Sequence, residues 1–253
     1  MTDYRKHPAL NFSLAKALLD SPAHFQAAKS STREVSRDMI MGTMVHAVAL
    51  EDKCIPAICA VKPEGMSFVT KEGKSWRDAQ TLEIITVDEY EKICGMAESI
   101  RNNDTARTML ANSPHREVPI TGNMFGVECK GLLDAYGQRG SEGAILDLKT
   151  CQHATPRRFA YHVADFHYDL QLAWYSTLAA MNYGLESPPF FAWIAVEKTP
   201  PYTCVVYDGS EHYEQGMEKL GRVLELYKKC VKDGEWPQPY QGLQSLTPAR
   251  KHE

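Results

Sequence analysis

Three strand-like runs follow one another between residues 116 and 150: REVPI, MFGVECKGLLDAY and AILDLKT, divided by Gly and polar residues at 121–123 and 137–143. Short turns between consecutive strands favour antiparallel neighbours, so this stretch reads as a meander. The flanking sequence then has to cover the meander's faces, and its periodicity is largely helical. SLAKALLDSPAHFQAAK is helical with Ser13 as an N-cap and a break at Ser21-Pro22, MIMGTMVHAVALED is an apolar helix, and residues 87–110 form one long amphipathic helix or two. Between them KEGKSWRDAQ reads as an exposed basic loop. After the meander come a helical region at 156–182, two strands (FFAWIAVEK and YTCVVYD) and a last helix before a Pro-rich tail. The expected fold is α/β (α+β): a mixed central sheet flanked by helices.

The 253 residues contain no repeat and no linker long enough to require separate units, so a single domain over 1–253 is expected. Its parts are a helical region at about 1–110, a core at about 111–207 and a C-terminal helix and tail at 208–253. No apolar run nears the roughly 20 residues of a membrane span, and MTDYRKHPAL lacks the apolar core of a signal peptide. The seven cysteines are scattered and never form CxxC, which suits reduced thiols in a cytoplasm. A net charge of −4 gives no support to a generally basic nucleic-acid binder, although an acidic protein can still hold a basic channel.

Within AILDLKT, alternation puts Asp147 and Lys149 on one strand face with Ile145, and Leu146 and Leu148 on the other. Asp134 is read as ending the preceding strand, so a hairpin would bring it towards Asp147. Two close carboxylates are costly unless a cation neutralises them, and hard oxygen ligands suit Mg2+ or Mn2+. Lys149 would then face the developing charge of a phosphate or orient a water. His46 stands alone on its apolar helix, where a satisfied core histidine is the plainer reading. Gln171 and Tyr175 share a helix face at i, i+4. Arg157 and Arg158, with Lys74 and Arg77, hint at a polyanionic substrate, although such clusters are commonly solvated surface. Glu117 and Glu128 are candidates for a second metal, and in one regular strand Glu128 would share a face with Asp134.

GLLDAY, AILDLKT and QLAWY resemble the G-x-x-D, D-x-K and Q-x-x-x-Y series of the PD-(D/E)xK nucleases, and GTMVHAVALE resembles the histidine motif of their RecB-like branch. SLAKALLDSPAHF and KSWRDAQ narrow the likeness to the exonuclease VIII (RecE) type of phage and prophage nuclease, over about residues 13–183. The resemblance implies a restriction-endonuclease-like core. It implies that Asp134, Asp147, His46 and the Leu148 carbonyl hold the metal, that Lys149 is catalytic, and that Gln171 and Tyr175 position the lysine and the DNA. Lys74, Arg77, Arg157 and Arg158 are the expected DNA-binding residues. The second acid is Asp where this branch commonly has Glu, and Cys204 and Cys230 are too few for a C-terminal iron–sulfur trio, so no cluster is expected.

The resulting expectation is a Mg2+-dependent 5′→3′ exonuclease on double-stranded DNA ends, with Mn2+ able to substitute. It would leave 3′ single-stranded tails for recombination, in the cytoplasm of a bacterial host. A ring-like homo-oligomer (trimer or tetramer), a single-strand annealing protein as partner and no membrane association are implied with it. A structure-selective or restriction-type endonuclease and a non-catalytic DNA-binding module share the same core, and an Asp–Lys structural ion pair is the plainest alternative.

Overall fold

The computed structural model describes residues 4–31, 35–240, 242–243 and 245. In chain order the elements are β1 (Leu10–Asn11), α1 (Phe12–Ala15), α2 (Ala17–Asp20), α3 (Pro22–Ser30), α4 (Arg37–Ala49), β2 (Cys59–Val61), α5 (Lys71–Asp78), β3 (Glu83–Ile85), α6 (Val87–Asn102) and α7 (Asp104–Asn112). They continue with β4 (His115–Met124), β5 (Val127–Arg139), β6 (Glu142–Cys151), α8 (Pro156–Phe166), α9 (Tyr168–Tyr183), β7 (Phe190–Glu197), β8 (Cys204–Asp208) and α10 (Tyr213–Asp233). Among the described residues no helix is long and apolar enough to cross a membrane.

Local chemistry sets many boundaries. Ser21 caps α3 with Pro22 in its first turn, and Thr86 and Glu89 form a reciprocal capping box on α6. Asn103 ends α6 and caps α7, so residues 87–112 are two helices. The first helix is capped two residues before the expected Ser13, by Asn11, whose side chain accepts from the Leu14 N–H. KEGKSWRDAQ is not a loop: residues 71–78 are helical, nucleated by the Thr70 hydroxyl accepting from the Gly73 N–H.

β4, β5 and β6 form the antiparallel meander, β7 adds parallel to β6 and β8 antiparallel to β7. A crossover through α8 and α9 makes the parallel step, which leaves β6 and β7 covered on both faces and accounts for their apolar runs. On one face Ile145, Phe191 and Trp193 pack with Trp174 and Leu178 of α9, Leu220 and Leu224 of α10, and Phe12 and Phe25. On the other, Leu146, Leu148, Ile194 and Val196 pack with Val45 and Val48 of α4 and with Ile93, Met96 and Ile100 of α6. The alternation expected along AILDLKT is therefore present.

β5 is longer than the sequence suggested and does not stop at Asp134. Its ladder with β6 runs only from Arg139↔Glu142 to Ala135↔Leu146. Before that the two strands part, and β1 takes the vacated edge, pairing with Cys129 and Lys130. Asp134 and Asp147 are the next residues on each strand, at the fork. Regular alternation also fails here, because Leu133 joins one core, Ala135 the other and Tyr136 the first again. Opposite Asp134 on β4, Glu117 takes a left-handed φ of 49° and drops out of the pairing that continues on either side of it.

α4 is tied down at its start by Arg37, whose guanidinium reaches both carboxylate oxygens of Glu89, Glu83 Oε1 at 3.0 Å and the Ile84 carbonyl at 2.8 Å. Hydrogen bonds from Arg37 hold the Glu89 carboxyl down to about 2. A depressed carboxyl adds stability that is complete above its unfolded value, about 4.5, and is lost as pH falls through about 2. Solvent screening limits this partly exposed cluster to about 1 kcal/mol. Arg37→Ala is therefore expected to lower the Tm by a few degrees at pH 6, with the difference closing as the pH approaches 2, followed by thermal unfolding across that range.

Candidate active site

The fork gathers side chains from α4, β4, β5, β6 and α9. From β5, Asp134 Oδ2 accepts the Leu148 backbone N–H at 2.8 Å, which locks the carboxylate across the gap where the β5–β6 ladder has stopped. From α4, His46 Nε2 lies 3.0 Å from the Leu148 carbonyl and Nδ1 lies 3.5 Å from Asp134 Oδ1. A carbonyl only accepts, so Nε2 carries the proton and Nδ1 is the nitrogen turned to the carboxylate. From β6, Asp147 is 1% exposed. Its Oδ1 accepts from Gln171 Nε2 at 3.1 Å and its Oδ2 pairs with Lys149 Nζ at 2.5 Å. The Lys149 ammonium also lies 4.4 Å from the centre of the Tyr168 ring.

Burial and mutual charge set the protonation of this group. Burial pushes Asp147 up to about 6, against the pull of Lys149 and with the help of nearby Asp134. Burial would raise Asp134 as well, but His46 and Lys149 outweigh it and hold this carboxyl below its ordinary value. Burial disfavours the charged forms of His46 and Lys149, yet the Asp134 and Asp147 carboxylates bring both above their usual values. Glu117 is raised by burial and then by Asp134. A crowded set of carboxylates that lifts its neighbours' protons is short of positive charge.

That shortage fits a divalent cation. One donor atom from each of His46, Glu117 and Asp134 lies within 4.8 Å of the others. Ligands of one Mg2+ bind at about 2.1 Å, so opposite ones stand about 4 Å apart, and small side-chain movements would close the set. The two carboxylates suit a hard cation such as Mg2+ or Mn2+, while the imidazole is a donor that softer first-row metals also take. The distorted φ of Glu117 and its position opposite Asp134 bring it into the group.

The structure places the other sequence candidates unequally. Leu148 contributes through its backbone, with its N–H on Asp134 and its carbonyl toward His46. Asp147 is adjacent but outside the three-donor group, its oxygens taken by Gln171 and Lys149. Tyr175, one turn after Gln171, packs on Gly131, where an added Cβ would come within 3.1 Å of its ring. The glycine of GLLD therefore leaves room for the tyrosine. Burial pushes the Tyr175 hydroxyl well above its ordinary value, so it stays protonated.

Glu128 sits near the far end of β5, in unbroken register with β4, so it keeps the parity of Asp134 but stands about 20 Å along the strand from it, accepting from Asn123 at 2.7 Å. Lys74 and Arg77 lie on the exposed α5, Arg77 paired with Asp78 at 2.8 Å, and belong to no part of this network. Arg157 and Arg158 are exposed in the first turn of α8.

Two residues escaped the sequence reading. Tyr168 lies three positions before Gln171 and so shares its helix face, a spacing that could have exposed it. Lys130, 5% exposed, donates to the carbonyls of His7 and Tyr4 at 2.6 and 3.0 Å. No pattern marks a lysine that folds back on a remote segment.

Comparison with known proteins follows the same lines. A crystal structure from Eubacterium rectale described as a "Putative exonuclease" superposes with a TM-score of 0.63 at 15% identity, over 95% of this chain and 91% of that one. At that identity it shows the fold. SSO0001 aligns over 83% of this chain and 84% of its own at 14% identity, with a TM-score of 0.29 that carries no argument. No curated protein matches the chain. Residues 11–245 match the family described as "PDDEXK-like domain of unknown function (DUF3799)". With that match spanning nearly its whole length, the chain belongs to this PDDEXK-like family.

Proposed function

We propose that the protein is a divalent-metal-dependent exodeoxyribonuclease of the exonuclease VIII (RecE) type. The observation that carries the reading is the pairing, at one strand fork, of a three-donor cation group (His46, Glu117, Asp134) with a lysine held by Asp147. Bound there beside Asp147 and the Leu148 carbonyl, Mg2+ or Mn2+ would supply Lewis-acid charge at a phosphodiester and lower the pKa of a water. The chain's own groups do the rest. Lys149, fixed by Asp147 and the Tyr168 ring, offers its ammonium to a non-bridging phosphate oxygen or to the attacking water. Gln171 keeps Asp147 in place, and Tyr175 can only donate to an anion.

The finer reading rests on the sequence motifs: processive 5′→3′ digestion of double-stranded ends, leaving 3′ tails for recombination. A ring-like trimer or tetramer, a single-strand annealing partner, phage or prophage origin and a place in the bacterial cytoplasm belong to the same proposal. Lys74, Arg77, Arg157 and Arg158 are proposed to meet the DNA backbone.

Linear and covalently closed circular duplexes of one sequence test the exonuclease reading. Linear DNA should disappear in the presence of Mg2+ while closed circles persist. Comparable cutting of the circles would make the protein an endonuclease. Glu117→Gln is expected to raise the Mg2+ concentration for half-maximal activity about tenfold or more, read from a metal titration, with little change in Tm.

A further inference from the structure

We propose that Phe166 and Tyr168 form a stacking shelf, beside Lys149, for a nucleobase of the strand being cut. This deepens the nuclease reading and rests on it. Phe166 is the last residue of α8 and is 45% exposed, although it is a large aromatic side chain. His167, between α8 and α9, has the left-handed values φ 56° and ψ 44°. That reversal stacks Tyr168 against Phe166, with ring centres 5.8 Å apart and planes 25° from parallel. One turn back on α8, His162 packs edge-on against both, at 4.4 Å and 60° to Phe166 and at 5.5 Å and 83° to Tyr168. His162 and the half-buried Tyr168 thus hold the Phe166 ring, which remains the exposed member of the set.

Its surroundings identify the occupant. Lys149 Nζ is 4.4 Å from the Tyr168 centroid and 2.5 Å from Asp147, so a phosphate meeting Lys149 has its own nucleoside next to these rings. Lys16 Nζ lies 6.0 Å from the Phe166 centroid. Arg158, His162 and Phe166 recur every four residues and share one stripe of α8, which puts Arg158 about 12 Å up the helix from Phe166. Arg158 stands in a first turn, where the helix dipole disfavours a cation, and a phosphate would offset that cost. An exposed aromatic between cations, next to a phosphate-facing lysine, has the composition of a single-strand track and not the charge-depleted core of a protein interface. Stacking of this kind tolerates any base, so no sequence preference is expected from it.

The test uses the full-length protein without metal and a duplex whose terminal nucleotide carries 2-aminopurine, a base whose fluorescence falls on stacking. Wild-type protein should quench it. Phe166→Ala and Phe166→Leu should lose the quenching and bind about tenfold more weakly, whereas Phe166→Trp should restore both. With Mg2+ the same two variants should raise KM and leave kcat within about twofold. Phe166→Leu that matches wild type in quenching and KM removes the shelf while the nuclease stands. Loss in Phe166→Leu that tracks a fall in Tm and is not restored by Phe166→Trp assigns Phe166 to packing and overturns the shelf. Wild-type protein that neither binds nor cuts the duplex removes the nuclease reading, and the shelf with it.

Discussion

Asp147→Ala is expected to cut metal-dependent DNA cleavage by about a thousandfold or more, the scale seen when a preorganised charge is removed from a reacting centre. The same change should also lower stability, by about 2 kcal/mol. Asp147 is the partner of Lys149 at 2.5 Å, and the lysine side chain is 13% exposed, so its ammonium would be left buried without its carboxylate. Asp147→Ala combined with Lys149→Met separates the two effects. Removing the orphaned charge should return most of the lost stability, read by urea denaturation, while activity stays lost. If the Asp–Lys pair were only structural, the double variant would recover activity with stability. An active single variant would refute the assignment of the site.

The largest effect on folding is expected from Trp174→Ala. Trp174 is fully buried, lies on α9 between Gln171 and Tyr175, and donates from Nε1 to the Lys130 carbonyl at 3.0 Å. Truncation leaves a cavity in the core that supports α9 against the sheet and an unpaired carbonyl besides. The cost should be about 3–5 kcal/mol, a large part of the whole stability of such a protein. The Tm should fall by about 10 °C. Trp174→Phe keeps most of the volume and loses the hydrogen bond, so it should cost about 1–2 kcal/mol. Urea midpoints of the three proteins check this. Since α9 also carries Gln171, activity in Trp174→Ala should fail at temperatures where wild type still works.

Much of this was legible because it depends on near neighbours in the chain. The meander follows from short polar turns, and the start of α3 from Ser21-Pro22. The opposite faces of Asp147 and Leu148 follow from strand alternation. What escaped depends on pairing across the sheet. Alternation alone favours Glu128 as a companion of Asp134, whereas register puts Glu117 opposite it, with a backbone distortion that no local pattern encodes. The fork has the same origin. β5 reads as ending at Asp134 because the chemistry is there, yet it continues to Arg139, and the break lies in its pairing with β6. KEGKSWRDAQ looked like a loop because its charges hide the cap at Thr70. Helical periodicity alone left His46 as a core histidine and only its motif marked it as a ligand; α4 brings it to Asp134, a residue 88 positions away in the chain.

The most direct measurement is a time course on linear duplexes labelled at the 5′ or the 3′ end, with Mg2+, with a chelator, and with Asp147→Ala as control. The account predicts metal-dependent release of nucleotides from the ends, abolished by the chelator and by the substitution, with the 5′ label lost first. Duplexes left intact by the folded wild-type protein in both Mg2+ and Mn2+, or degraded equally by Asp147→Ala, would contradict it.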